Sequence, residues 1–357
     1  MKRCFLWSTL VAVLFCLGGC GGGQSATDQR TEPAPVVTPV QPVTPPVMLP
    51  EDPSVQPKFT YADPALLSMA NALNLVRTTS GAGNVIQKSA LDLAAKRHAD
   101  YLVNNALTSN GAYLYAPQEN GQWGGHYESM ANLGFSGATP QARADVAAYP
   151  GAVNELLVFG AKSVAECVAS LENSAYHLIH LLSPYVDMGI YFNAGNGGES
   201  ACIVLLGVAN SSTGQFAPVN SYVFYPSNMQ RNVPPVFFNQ AERPIPAPDL
   251  PLTGHPILMS FYNQSHKVLA ARDLLLHAFE VYDAAGKRVS VRVLTFPGVQ
   301  SDGPPVIADA NVAAPGYIVA LPVQPLMANS TYQIKVSADV AGQNVTQNWS
   351  FVTGAAN

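Results

Sequence analysis

Residues 163–193 read "SVAECVASLENSAYHLIHLLSPYVDMGIYFN", and the spacing of their apolar side chains changes near Pro184. Up to Leu182 the apolar residues recur at helical spacing, which predicts one long helix that ends before this proline. After it, "DMGIYFN" and "ACIVLLGVAN" are rich in apolar and β-branched residues and are separated by "AGNGGES", which predicts a β-hairpin. Helices followed by paired strands indicate an α+β layered domain.

The sequence before this stretch predicts three more helices. Asp63 is placed to cap the first, Pro64 suits its first position, and Gly81 offers a stop. A second helix opens at Ser89, and a third is predicted for "TPQARADVAAY". We therefore expect residues 58–211 to form one α+β domain.

From residue 220 onward the pattern is different, because short alternating strands are broken by turns. "HAFEVYDAAGKRVSVRVLTF" predicts a hairpin around "DAAGK", and "NSTYQIKVSADVAGQNVTQNWSFVTG" predicts two strands around "AGQN". The candidates for inward-facing side chains are Tyr332, Ile334, Val336, Trp349 and Phe351. Residues 220–357 are therefore predicted to form a second domain, a small all-β sandwich.

The first twenty residues have the features of a bacterial lipoprotein signal. Lys2 and Arg3 precede an apolar run that is too short to span a bilayer, and small residues lead to Cys20 in "LGGC". Cleavage there would leave Cys20 as a lipid-carrying N-terminus; the alternative is an ordinary signal peptide with an incidental cysteine. Gly21 follows, which by resemblance to Gram-negative lipoproteins favours the outer membrane. Residues 21–57 are rich in Gly, Ser and Pro, which predicts a tether.

Composition and charge narrow the class of partner. Only 11% of the 357 residues are charged, the net charge is −5, and no basic patch is present, so the sequence offers no electrostatic basis for binding nucleic acid. Once the signal is removed and Cys20 is acylated, Cys167 and Cys202 remain. In an oxidising compartment these two can form a disulfide, and the alternative is a pair of buried free thiols.

The residues that could carry chemistry are scattered histidines and carboxylates, because the sequence lacks H-E-x-x-H, G-x-S-x-G and phosphate-binding Gly-Lys motifs. His126 and Glu128 would share one side of an extended segment, since strand side chains alternate. Glu155 and His177 follow in the next two apolar stretches. His98 lies on the apolar stripe of the second helix, which predicts a packed, hydrogen-bonded core residue rather than a ligand.

Four pieces in a fixed order carry a resemblance to a known family: "HYES", "GFSGATPQAR", "YPGAVNELLVFG" and "SAYHLIHLLSPYVDMGI". Together they resemble bacterial members of the CAP superfamily, also called SCP-like proteins, over about residues 66–209. The resemblance implies an α-β-α sandwich whose central cleft is lined by two histidines and one or two acidic residues. His126 matches the first cleft histidine, Glu155 matches an acidic residue, and His177 matches the second histidine.

The match departs from the family pattern at two positions. Leu178 stands where an arginine commonly follows the second histidine. The second cleft glutamate has two competitors, Glu128 and Glu172. The C-terminal segment more loosely resembles bacterial Ig-like domains that end in a "W-S-F-x-T" strand, here residues 349–353.

Some members of the family hold a divalent metal in this cleft, which implies that a metal site is one expectation here. Two imidazoles and one carboxylate, from His126, His177 and Glu155, would leave an open position on Zn²⁺, as in catalytic rather than structural zinc sites. The sequence therefore predicts a cleft that either binds a ligand directly or holds a metal ion.

These features favour a surface-tethered binding module for an extracellular lipid, cell-wall fragment or protein. Members of the family mostly look non-enzymatic, and no nucleophile–base pair is visible in the sequence. One alternative is a metal-assisted hydrolase with Glu155 as the base. The other is a structural envelope protein whose cleft has no ligand, since a fold does not imply a function.

Overall fold

The computed structural model describes residues 59–105, 124–195, 199–210, 222–261 and 269–355. The predicted signal peptide, the predicted tether and the lipidation site at Cys20 lie outside the described residues. All described residues belong to one compact unit. In none of these segments is there a helix long and apolar enough to cross a membrane.

The helices of the described residues are α1 (Pro64–Thr79), α2 (Ser89–Asn104), α3 (Pro140–Val146), α4 (Val164–Glu172) and α5 (Tyr176–Leu181). The predicted starts of the first two are confirmed. Asp63 caps α1 because its carboxylate accepts a hydrogen bond from the amide of Ala65 at 2.8 Å. α2 opens at Ser89 and buries the predicted stripe, including His98.

The single long helix predicted for residues 163–182 is wrong, because α4 and α5 take its place. Asn173 leaves the helical conformation at the end of α4, with φ −93° and ψ 57°. α5 then starts anew, since the carboxylate of Glu242 accepts hydrogen bonds from the amides of residues 175–177. A contact with the C-terminal half therefore interrupts an apolar pattern that is continuous in the sequence.

A four-stranded sheet lies at the centre of the N-terminal half. Its strands are β1 (Ile86–Gln87), β2 (Gly151–Phe159), β3 (Asp187–Asn193) and β4 (Ala201–Ala209), in the spatial order β1-β3-β4-β2. The predicted hairpin of β3 and β4 is confirmed, with Asp187 opposite Gly207. β2, which the apolar pattern does not predict, is antiparallel to β4 and places Glu155 opposite Leu205.

The described residues from 222 onward form two larger sheets and one short pair of strands. The strands are β5 (Val223–Tyr225), β6 (Gln230–Val233), β7 (Phe237–Phe238), β8 (Leu252–Thr253), β9 (Ile257–Ser260), β10 (Leu274–Tyr282), β11 (Arg288–Val289), β12 (Val291–Thr295), β13 (Gln300–Ser301), β14 (Val306–Ala308), β15 (Tyr317–Pro322), β16 (Thr331–Val340) and β17 (Gln343–Thr353). One sheet has the order β14-β12-β15-β9-β5. The other has the order β11-β10-β16-β17-β6, with β13 beside β10, and β7 pairs with β8.

The two hairpins predicted in this half have different outcomes. β16 and β17 pair around "AGQN" as predicted, and all five predicted inward side chains are buried. β10 and β11 pair around "DAAGK", but β12 then crosses to the other sheet instead of extending the hairpin. Crossing between sheets is set by packing, so strand pattern alone does not reveal it.

Three hydrophobic cores hold these elements in layers. α2 and α3 pack on one face of the four-stranded sheet, and α1, α4 and α5 pack on the other face. The core around α1, α4 and α5 continues into the sheet that contains β9, through Val223, Leu258 and Val319. The third core fills the space between the two larger sheets. The protein is therefore α+β, and its two halves share one hydrophobic core.

Candidate functional site

A buried cluster of four charged or ionisable side chains joins α2, α3 and β2. Arg143 donates a hydrogen bond through Nη2 to Oε2 of Glu155 at 2.7 Å, and its Nε lies 3.8 Å from Oε1 of Glu128. His98 lies on the other side of Glu128, with Nδ1 2.9 Å from Oε1. All four side chains have 0% exposure. The prediction that His98 is a packed, hydrogen-bonded core residue is confirmed.

The surroundings keep both carboxyl groups of this cluster ionised. Burial alone would raise the pKa of Glu155, but the charge of Arg143, followed by His98 and His126, holds it well below its usual range. Burial also opposes ionisation of Glu128, yet its pKa is lowered by His98, by the backbone amide of Ser136 and by Arg143. The cluster is therefore a set of compensated charges inside the buried core.

Glu128 does not share a cleft face with His126, which corrects the prediction made from strand alternation. His126 ends a short 3₁₀ turn at Gly124–His126, so the alternation of an extended chain does not apply. Glu128 instead enters the core, where Oε2 accepts hydrogen bonds from the amides of Ser136 and Gly137 at 2.5 and 3.2 Å. Its carboxylate holds the following loop against α2 rather than facing a ligand.

His126 lies at the surface end of the cluster. Its Nδ1 is 3.0 Å from Oε1 of Glu155, and its side chain is 28% exposed. The backbone oxygen of His126 accepts hydrogen bonds from Arg143 at 3.3 Å, which fixes the turn. A Cβ atom on Gly125 would lie 2.7 Å from the Leu157 side chain, so glycine is what allows this close approach to β2.

His177, on the first turn of α5, has a different acidic partner from the one that the resemblance implies. Its Nδ1 lies 3.1 Å from Oε1 of Glu242, and its side chain is 19% exposed. The same carboxylate accepts the amide hydrogens of Ala175, Tyr176 and His177 at 2.7, 2.8 and 3.0 Å. Glu242 follows a 3₁₀ turn at Asn239–Ala241, so its place is set by the C-terminal half.

A cavity of about 850 Å³ lies between β2, α4, α5 and the segment around β7. Its apolar lining residues include Leu157, Val158, Phe159, Ala169, Pro234, Pro235, Val236, Phe237, Phe238 and Ala241. Its polar lining residues include His126, Glu166, Ser170, Asn173, Ser174, His177, Gln240, Glu242 and Arg243. The structure thus brings the two predicted cleft histidines to one cavity, and its volume suits a small organic ligand.

The three zinc ligands predicted from the sequence, His126, His177 and Glu155, do not converge on one point. The residues present therefore do not fit the predicted zinc site. Oε1 of Glu155 faces His126, and Oε2 accepts a hydrogen bond from Arg143. Nδ1 of His177 faces Glu242 instead. Within the part of the chain that the structure describes, no three His, Cys, Asp or Glu side chains converge as metal ligands. The physical reason is that a guanidinium already compensates the charge of Glu155.

Cys167 on α4 and Cys202 on β4 form a disulfide in the structure, with Cα atoms 6.4 Å apart. Both residues are buried in the core that contains α1, and Sγ of Cys202 lies 4.0 Å from Sδ of Met69. The bridge ties a helix that lines the cavity to the central sheet.

Two residues of the site, Arg143 and Glu242, have no role in the sequence-based prediction. The sequence offered a reason to consider Arg143, since this residue ends "GFSGATPQAR", one of the four segments that carry the family resemblance. The sequence offered no reason to consider Glu242, because it lies 65 residues beyond His177, in the half predicted to be a separate domain. Glu172, the other candidate for the second cleft acid, pairs with Tyr225 instead, and burial raises its pKa.

His180, one turn beyond His177, should make the protein sensitive to acid. Burial first, and then the nearby rings of His177 and His126, lowers the pKa of His180 from 6.5 to about 4, against the opposing effect of Glu242. The unfolded chain therefore binds this proton at a higher pH than the folded chain does. The free energy of unfolding should fall by about 2–3 kcal/mol for this group as pH drops from about 6.5 to about 4.

We expect His180→Gln to reduce this decline, measured by urea unfolding at a series of pH values across that window. His277→Gln is the control, because His277 is a half-buried residue on β10, away from His180, that pairs with Asp302 and Asp339. The control should not reduce the decline. An unchanged profile for His180→Gln would show that the acid sensitivity comes from other groups.

No protein-family model matches the chain, and no curated protein matches it. Among solved structures, the chain is similar to an outer surface protein from Borrelia burgdorferi, with 15% sequence identity and a TM-score of 0.32. This likeness covers 43% of the present chain and 100% of the other chain.

Proposed function

We propose that this protein is a ligand-binding module of a bacterial cell envelope, and that its ligand is a small amphipathic molecule. The observation that carries the proposal is the cavity of about 850 Å³, whose lining combines aromatic, aliphatic and proline side chains with two histidines. Each histidine is held by a buried carboxylate, His126 by Glu155 and His177 by Glu242. Mostly apolar walls with a few fixed polar groups are typical of small-molecule sites.

In this proposal residues 58–211 are a CAP-type α-β-α sandwich and residues 220–357 are an Ig-like domain. A lipid on Cys20 and a tether over residues 21–57 would hold the module at the outer membrane. The net charge of −5 supports a partner other than nucleic acid. The ligand would be a lipid or a cell-wall fragment with an apolar part that enters the cavity.

The contacts of the serine hydroxyl groups in the cavity support ligand binding better than they support hydrolysis. Ser170 donates its hydroxyl hydrogen to the backbone oxygen of Glu166 at 2.8 Å, and Ser174 donates to that of Leu171 at 2.6 Å. A nucleophilic serine instead needs a base within hydrogen-bond reach. Among the described residues that line the cavity, neither serine is paired with a histidine.

Octan-1-ol should bind the mature full-length protein saturably in a calorimetric titration, and Phe238→Ala should weaken that binding about tenfold. The reason is that the variant removes a large apolar contact from the cavity wall, worth about 1–2 kcal/mol. Phe238 lines the cavity but is 59% exposed, so its truncation should change the free energy of unfolding little.

Met327→Ala is the matched control, because Met327 is 68% exposed and lies outside the cavity lining. It should bind octan-1-ol as the wild type does. Equal weakening in both variants would place the alcohol elsewhere on the protein. If the wild type shows no saturable binding, the proposal of an amphipathic ligand is wrong. A structural role in the envelope then explains the protein better.

A further inference from the structure

We propose that the C-terminal half completes the ligand site, with Glu242 as the residue that positions His177 as a hydrogen-bond acceptor. The ligand group that meets the histidines is then a hydrogen-bond donor, such as the uncharged hydroxyl of an alcohol. The identity of the ligand group rests on the proposed function. The positioning role of Glu242 does not, and it can be tested without a ligand.

The contacts of Glu242 determine which ring nitrogen of His177 carries the hydrogen. Glu242 is 2% exposed, and Oε1 accepts the amide hydrogens of Tyr176 and His177 at 2.8 and 3.0 Å. This oxygen is therefore an acceptor, so Nδ1 of His177, at 3.1 Å, is the donor in the pair. In the neutral ring, Nε2 is left with a lone pair.

The same reasoning applies to His126. Oε2 of Glu155 accepts a hydrogen bond from Arg143 at 2.7 Å, and Oε1 lies 3.0 Å from Nδ1 of His126. Because this carboxyl group is ionised, Nδ1 of His126 donates and Nε2 of the neutral ring accepts. The cavity thus contains two histidines that are both set as acceptors, which favours a ligand that donates.

The C-terminal half also supplies other parts of the same region. α5 has six residues, and Glu242 satisfies the amides at its start, so the direction of the His177 side chain depends on this carboxylate. Asn173, just before α5, donates to the backbone oxygen of Val236 at 3.2 Å. Phe238 adds an apolar wall from β7. The second half is therefore part of the site and not a spacer.

The first test observes the histidine rings directly, by nitrogen-15 NMR of the full-length protein without ligand. In the wild type, His177 should be in the Nδ1–H tautomer. Glu242→Ala should convert it to the Nε2–H tautomer that imidazole favours in water, while His126 keeps its Nδ1 hydrogen. Glu242→Gln retains an acceptor oxygen and should preserve the wild-type tautomer, so it reports on positioning even if the alanine variant folds poorly.

Glu166→Ala is the control for this measurement. Glu166 lines the same cavity, but its Oε2 accepts a hydrogen bond from the amide of Lys162 at 2.8 Å rather than from a histidine. The His177 tautomer should be unchanged in this variant. A wild-type protein with His177 in the Nε2–H form, or a Glu242→Ala variant that keeps Nδ1–H, would overturn the positioning role.

The second test compares two isomers, octan-1-ol and methyl heptyl ether, at about pH 8 with a chelator present, where histidine rings are neutral. The alcohol donates a hydrogen bond and the ether only accepts. The wild type should bind the alcohol about five- to tenfold more tightly, as one hydrogen bond predicts. Glu242→Ala should reduce this preference, because it removes the acceptor nitrogen of His177 and leaves that of His126.

Equal binding of the two isomers to the wild type would overturn the donor class of the ligand while leaving the proposed function standing. No binding of either isomer would overturn the proposed function and, with it, the ligand group inferred here. In that case the NMR result would still decide whether Glu242 positions His177.

Discussion

Arg143→Met should lower the free energy of unfolding by about 3–5 kcal/mol at neutral pH. The variant removes the guanidinium that lies 2.7 Å from Glu155 and 3.8 Å from Glu128, and so leaves two buried carboxylates without their cation. It also removes the hydrogen bonds that hold the backbone oxygens of His126 and Gly137 at 3.3 Å. Urea unfolding of the wild type and the variant measures the loss.

The loss should become smaller in acid. The folded-state pKa values of Glu155 and Glu128 lie below the ordinary value of 4.5. Their contribution to stability is therefore fully present above about pH 4.5 and disappears as pH falls further. Without Arg143, the folded-state pKa of Glu155 should rise, so that protonation relieves the unpaired charge. An equal loss at neutral pH and at about pH 4 would contradict this electrostatic explanation.

Two further variants separate charge from packing. Arg292→Met removes an arginine whose pair with Asp249, at 2.5 and 2.7 Å, lies on the surface, and it should behave almost as the wild type. The double variant Arg143→Met with Glu155→Gln should be more stable than Arg143→Met alone, because it removes one of the uncompensated charges. If the double variant is no more stable, the lost stability reflects packing rather than charge.

Replacement of both Cys167 and Cys202 by alanine should lower the free energy of unfolding by roughly 2–4 kcal/mol. The bridge closes a loop with a sequence separation of 35, so it restricts the unfolded chain. Both sites are buried, at 0% and 1% exposure, and alanine fits there without a polar group. The denaturant midpoints of the two proteins measure the difference.

The reducing agent provides the internal control for this prediction. Reductant should move the midpoint of the wild type towards that of the variant and leave the variant unchanged. Mass mapping of unreduced peptides should show Cys167 linked to Cys202. Alkylation of both thiols without reduction, together with a midpoint that does not respond to reductant, would contradict the disulfide.

Local sequence alone predicted the starts of the first two helices and the pairing of the main hairpins. Asp63 and Pro64 start α1, Ser89 opens α2, and the turn "AGQN" joins β16 to β17. These features depend on caps, turn residues and apolar period, which act between neighbours along the chain. The same local information placed His98 on a buried helix stripe.

The sequence also identified His126 and His177 as candidates for one cleft, and both line the same cavity. It did not assign the acidic partner of His177, which is Glu242. Glu155 does meet His126, but the charge of Arg143 removes it from the predicted metal set. Residue type and order indicate which side chains could carry chemistry, whereas the state of each carboxylate depends on what surrounds it.

Only the tertiary structure decided that the two predicted domains share one core and one cavity. It also decided that the apolar run of residues 163–182 breaks into α4 and α5, since Glu242 caps the second helix from the other half. Helix periods and turns are short-range along the chain, so a sequence displays them. Hydrogen bonds and charge compensation are short-range in space, and Glu242 reaches His177 only after the halves have packed together.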